Sequence, residues 1–166
     1  MNDHYFLLNA DTLSLLHKII NKMENNLKTL QLFYAGVLAD SVYHFNKAGI
    51  LNLVTEEKRK QQALTAASQI KQLGISSPRE LFRDFSNIFG CIKWEYSEDE
   101  EAASASGKFC LLCALAKKMQ TAKPCYIYCI NPIREMLKAM EPSYSLSVNE
   151  TLWESNQCVF KVIRDR

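Results

Sequence analysis

The chain has 166 residues, a formal net charge of +2, 48% hydrophobic residues and 23% charged residues. Five glycines and four prolines exclude collagen-like, low-complexity and disordered classes, and the near balance of charge gives no reason to expect a nucleic-acid partner. All six cysteines fall between Cys91 and Cys158, so the second half carries every thiol.

The start, Met1 to Leu8, lacks the positive charge of a signal peptide, and Asp11 interrupts its apolar run. No window reaches the roughly 18 uninterrupted apolar residues of a transmembrane helix. A cytoplasmic protein without a membrane partner is therefore expected, with reduced thiols. In that setting six cysteines point to metal ligation, catalysis or burial rather than to a disulfide framework.

Leu16, Ile20, Met23, Leu27, Leu30, Tyr34 and Val37 alternate steps of four and three, which puts them on one stripe of a long first helix. Asp11 or Thr12 would cap it, Gly36 would be a place for a kink, and the helix would end near Phe45, ahead of Gly49. Two accounts fit the stripe: a helix facing the core, or one that pairs two copies of the chain. A second helix is expected from Glu56 to Leu73, capped by Thr55 and stopped by Gly74, with a thin stripe of Ala63, Ala66, Ala67, Ile70 and Leu73. Ser77-Pro78-Arg79-Glu80 reads as a capping box with proline at the first helical position, followed by Leu81, Phe82, Phe85, Ile88 and Phe89 up to Gly90.

After Gly90 the pattern changes. Ile92 to Tyr96 alternates as a strand does. Five acids in the seven residues from Glu95 to Glu101, then Ala102 to Gly107, read as a solvated loop. A strand or helix begins near Lys108, and a further helix runs from Pro132 to Met140, stopped by Pro142. Tyr144 to Val148 and Val159 to Val162 alternate around a turn at Glu154 to Gln157. These elements give an α+β fold: long N-terminal helices packed with a small antiparallel sheet of three or four strands and a C-terminal hairpin. One domain over residues 1–166 is expected, with a helical half (1–90) and a cysteine-containing α+β half (91–166).

Cys110-x2-Cys113, Cys125-x3-Cys129 and Cys158 form the one constellation with chemical potential. Cysteines three or four apart share a helix face, and four thiolates would complete a tetrahedral zinc site. The apolar spacer Leu111-Leu112 and the lack of histidine after His44 fit buried structural thiols equally well. A nucleophilic thiolate needs nearby positive charge. Lys117, Lys118 and Lys123 supply it in sequence, and residues 107–166 carry nine bases against five acids. His17 and His44 read as helix-surface or packing residues, and Cys91, directly after the third helix, as structural. No nucleophile elbow, phosphate loop or zinc-protease motif is present.

The stretch from Cys129-Ile130-Asn131-Pro132 through the helix to Met140, then Asn149 to Val162 with its Cys158-Val159-Phe160 strand, resembles the ending of the L-2-amino-thiazoline-4-carboxylate hydrolase-like family. It is also similar to vinyl-reductase-type small-molecule-binding domains, in some of which the closing hairpin supplies Cys and Glu ligands to a metal. The likeness covers about residues 107–163. Ser155 stands where the hairpin glycine is usual, Pro132 where an acid is common, and Thr151 or Leu152 where a second hairpin cysteine occurs. The resemblance implies hydrolysis of a C–N bond in a small heterocycle by a thiolate or a metal-bound water. Cys129 and Glu150 would then be catalytic, and Cys110, Cys113, Cys129 and Cys158 would hold zinc or iron. The alternative is a non-catalytic ligand-binding or sensor module whose ligand meets aromatics such as Phe85, Phe89, Trp94, Tyr126 and Trp153. A homodimer through the first helix goes with that alternative.

Overall fold

A computed structural model of the chain describes residues 10–98 and 102–164. The first helix, α1 (Ala10–Lys47), is 38 residues long and passes through Gly36 without a break. Ala10 is already helical, so neither Asp11 nor Thr12 caps it. The stripe does not face the core. Ile20, Met23, Leu27, Leu30, Tyr34 and Val37 are all exposed, whereas the buried positions are Ala35, Ala39 and Val42. The side chain of Leu16 lies outside the described residues. Small residues win the inner face because α1 packs against α4 (Leu111–Lys118), and close approach of helix axes leaves little room for large side chains.

α2 (Leu51–Leu73) starts four residues ahead of its expected cap, Thr55. Thr55 sits inside the helix and donates its hydroxyl to the Leu51 carbonyl, so it spends its hydrogen bond on the helix interior rather than the end. Gly74 closes α2 in the left-handed conformation, φ +67°, which only glycine adopts without cost. Of the expected stripe only Ala66 is buried and Ile70 half-buried, while Ala63, Ala67 and Leu73 are exposed, so the inner face is narrower than the stripe. α3 (Pro78–Phe89) begins with the Ser77 hydroxyl accepting from the Glu80 N–H. The Glu80 carboxylate reaches one residue further back than a capping box requires, to the N–H and hydroxyl of Ser76. Leu81 and Phe82 are fully buried on the inner face of α3.

The sheet is antiparallel throughout, in the order β1 (Glu95–Glu98), β2 (Ala103–Gly107), β4 (Cys158–Arg164), β3 (Tyr144–Glu150). Two expectations are corrected here. Strand pairing starts at Glu95, and Ile92 makes only an isolated bridge to Cys110. The small-residue segment, read as loop, is a central strand with Ala103, Ala105 and Gly107 buried; residues 99–101 lie outside the described residues. Small side chains are required there. Ala105 sits opposite Phe160, and a Cβ on Gly107 would lie 2.6 Å from the Ile92 side chain. The hairpin β3–β4 turns through residues 151–157, as its alternation predicts.

The core lies between sheet and helices. Trp94 packs on Phe160 with ring centroids 4.8 Å apart and meets Phe82 edge-on at 5.3 Å. Ile130, Ile133 and Leu137 close it from below, from α5 (Asn131–Met140) and the turn before it. Among the described residues no helix is long and apolar enough to cross a membrane.

Candidate functional site: a thiol-walled cavity

The segment Tyr126–Ile130 is a single π-helical turn that runs directly into α5. The Asn131 N–H bonds back to the Tyr126 carbonyl, five residues earlier. Pro132 has no N–H to offer the Tyr128 carbonyl, so ordinary helical pairing fails at this step and the wider turn takes its place. Two contacts clamp the turn. The Tyr128 and Ser41 hydroxyls lie 2.6 Å apart, tying it to α1, and Gln62 Nε2 donates to the Ile127 carbonyl at 3.5 Å, tying it to α2.

Behind this turn is a cavity of about 310 Å3, within the range of small-molecule sites. Tyr34 and Leu38 of α1 form one wall, and Phe85 and Phe89 of α3 form another. Lys58, Gln62 and Gln69 come from α2. Ile92, Trp94, Leu112, Tyr128 and Pro132 line it as well, together with the thiols of Cys91, Cys110 and Cys129. Tyr34 stacks on Phe89 at 5.6 Å, which fixes the two aromatic walls against each other. Two buried polar atoms of the lining residues have no hydrogen-bond partner: Trp94 Nε1 and Gln62 Oε1. A buried polar group left unpaired costs about 1–3 kcal/mol, which a ligand group that reached these atoms would recover.

All six cysteines are free, and three of them, Cys91, Cys110 and Cys129, line this cavity. Cys110 caps α4, its sulfur accepting the Cys113 N–H at 3.4 Å. The sulfurs of Cys113 and Cys125 are 3.7 Å apart. Cys129 is near enough to Cys110, Cys158, Cys113 and Cys91 to feel each of them. The environment of Cys91, Cys110, Cys113, Cys129 and Cys158 favours their protonated form. Burial pushes Cys91 up to about 12. A hydrogen bond with Cys113, then burial, raises Cys110. Cys113 is drawn down by Cys110 but pushed further up by Cys125 and by burial, to about 12 overall. Burial and then the neighbouring thiols hold Cys129 well above the ordinary range, and burial raises Cys158.

The positive charge that sequence places near these cysteines is used elsewhere. Lys117 donates to the Leu152 carbonyl at 2.8 Å, and Lys123 pairs with Glu154 at 2.6 Å. Among the described residues no three His, Cys, Asp or Glu side chains are grouped so as to hold one ion. Cys129 and Glu150 are not brought together. Cys129 lines the thiol-walled cavity, whereas Glu150 lines a shallow cleft with Lys123, Thr151 and Glu154 and accepts from Ser155 and Gln157.

Of the five aromatics expected to meet a ligand, Phe85, Phe89 and Trp94 line the cavity. Tyr126 is half exposed and borders a different, polar cleft, and Trp153 lies under Lys117 at 5.7 Å. Cys91, read as structural, is a cavity wall. Sequence reasoning missed Tyr34, Gln62, Lys58 and Tyr128. Only the proline after an apolar helical run hinted at the irregular turn that carries Tyr128. His17 and His44 are exposed, and His44 approaches Asp40 at 3.5 Å.

No family model matches this chain, and no curated protein matches it.

Proposed function

We propose that the protein is a small-molecule-binding module and that its ligand occupies the thiol-walled cavity. The observation that carries this reading is the pair of unpartnered buried atoms, Trp94 Nε1 and Gln62 Oε1, in the walls of an otherwise aromatic and apolar space. A ring-containing molecule that offers one acceptor and one donor would satisfy both while filling the space between Phe85, Phe89 and Tyr34. Lys58, whose ammonium lies 5.5 Å from the Tyr128 ring, suits a ligand with an acidic group at one end.

Binding is favoured over hydrolysis of a heterocycle. Nucleophilic opening of a ring needs a thiolate or a base beside the substrate, and the thiols here are held in the neutral form. Glu150 is engaged in the hairpin turn, at a separate cleft. A homodimer paired through α1 goes with this reading, because the heptad-spaced residues of α1 are exposed rather than spent on the core.

The test is a fluorescence titration with 8-anilinonaphthalene-1-sulfonate, a flat, anionic, two-ring probe. The expected result is one saturable site per chain with energy transfer from tryptophan, weakened several-fold in Trp94→Phe and in Lys58→Ala. A folded protein that binds neither this probe nor uncharged two-ring compounds saturably would overturn the proposal.

A further inference from the structure

We infer that two copies of α1 pair antiparallel, the outer half of each helix lying in a groove on the inner half of the other. This rests on the homodimer reading and adds its geometry. α1 has two unlike halves. Residues 17–30 are all exposed, whereas burial begins at Ala35, where the helix meets α4. At 1.5 Å per residue, residues 17–30 alone span about 21 Å.

The inner half carries the complementary feature. Leu32, Phe33, Gly36 and Val37 of α1 and Leu115 of α4 line an apolar groove of about 450 Å3, with Asp40 at its end. A Cβ at Gly36 would meet nothing within 4 Å, so the groove is open there. Beside it stands Phe33, 71% exposed. When the outer half of one copy lies in the groove of the other, the reciprocal contact forms by the same operation, as a two-fold interface requires.

Area and charge decide the arrangement. Nine apolar side chains between Ile19 and Val37 are 41% to 71% exposed. Together they present on the order of 900 Å2, close to the roughly 800 Å2 per partner of a specific interface. The outer half carries Lys18, Lys22 and Lys28 against Glu24, and the groove ends in Asp40. Antiparallel pairing lays the lysine-bearing half along the groove that ends in a carboxylate, and it covers Leu115. Parallel pairing would set Lys18, Lys22 and Lys28 each beside its own copy and leave the groove open, whereas the antiparallel register does so at Lys28 alone.

The test uses the intact chain. Light scattering at tens of micromolar is expected to give twice the 19.0 kDa chain mass. Gly36→Leu, which fills the groove from an open position, and Phe33→Asp are each expected to give monomers with unchanged helical circular dichroism. For orientation, Ile19→Cys and Val37→Cys chains are mixed and treated with a short bis-maleimide, and the linked peptides are sequenced. Links from position 19 to position 37 are expected. Links of 19 to 19 and 37 to 37, or a Gly36→Leu protein that stays dimeric, would overturn the antiparallel geometry and leave the homodimer standing. A wild-type monomer at all concentrations would overturn both.

Discussion

The sulfur of Cys113, in the first turn of α4, lies 3.7 Å from the sulfur of Cys125, which leads into the π-helical turn. That is contact between two thiols, well beyond the roughly 2.05 Å of a disulfide bond. Both residues are buried, at 4% and 6% exposure, so the pair joins two elements in the way two small apolar side chains would. The thiol group as a whole packs the space between α4, the π-helical turn and β4.

Reactivity follows from that burial. In native protein at neutral pH, Cys113, Cys125 and Cys158 are expected to react with a maleimide at least about tenfold more slowly than the half-buried Cys91 and Cys110, because the reagent needs access to the sulfur. In denaturant all six should react alike. Peptide mass spectrometry after timed labelling reads this directly, and uniform native labelling would contradict it.

Stability should decline in alkali. Cys91 and Cys113 are raised from the ordinary 9.0 to about 12 in the fold, and Tyr96 is raised from 10.0 to about 12 by burial. In the unfolded chain the two thiols lose their protons from about pH 9, while the folded chain keeps them. The folded state then binds more protons than the unfolded one, so stability falls as pH rises. The contribution is complete below about pH 9 and lost on the way to about pH 12. Urea midpoints measured across that window should fall steadily, and Cys91→Val should make the fall shallower.

Trp94→Phe separates the ring from its N–H. The phenyl ring keeps contact with Phe160 and Phe82, and it removes a buried donor that has no acceptor. The lost packing and the relieved desolvation oppose each other, so stability should change by less than about 1 kcal/mol. Urea denaturation measures it. A loss of several kcal/mol would mean that the indole N–H is satisfied in the free protein.

Gly107→Ala should be costly for its size. The added methyl would lie 2.6 Å from the Ile92 side chain and 3.2 Å from the Lys93 carbonyl, on a strand paired on both sides. Over-packing of this kind costs about 1–3 kcal/mol. A substitution without effect on the thermal midpoint would show that the segment from Cys91 to Trp94 gives way easily.

Local chemistry made much of the fold legible. Ser77-Pro78 and Gly90 bracket α3, Gly74 ends α2, and alternation marks β3 and β4, because each signal acts within a turn or two of chain. The segment Ala103 to Gly107 gave no such signal. Its small residues have no hydrophobic period, and its strand conformation comes from partners on both edges. The stripe on α1 was legible as a period but not as a destination, since period alone does not say whether a face meets the core or another chain.

From the sequence alone came the α+β class, the three N-terminal helices, the closing hairpin and the concentration of thiols in the second half, all consequences of local pattern and composition. Only the tertiary structure decided that Cys91, Cys110 and Cys129 share a cavity wall with Tyr34 and Gln62, that Glu150 faces elsewhere, and that Trp94 brings an unpaired N–H to the site. Those relationships join residues up to 95 positions apart. They depend on how helices and sheet close over one another, and no local preference of the chain encodes that.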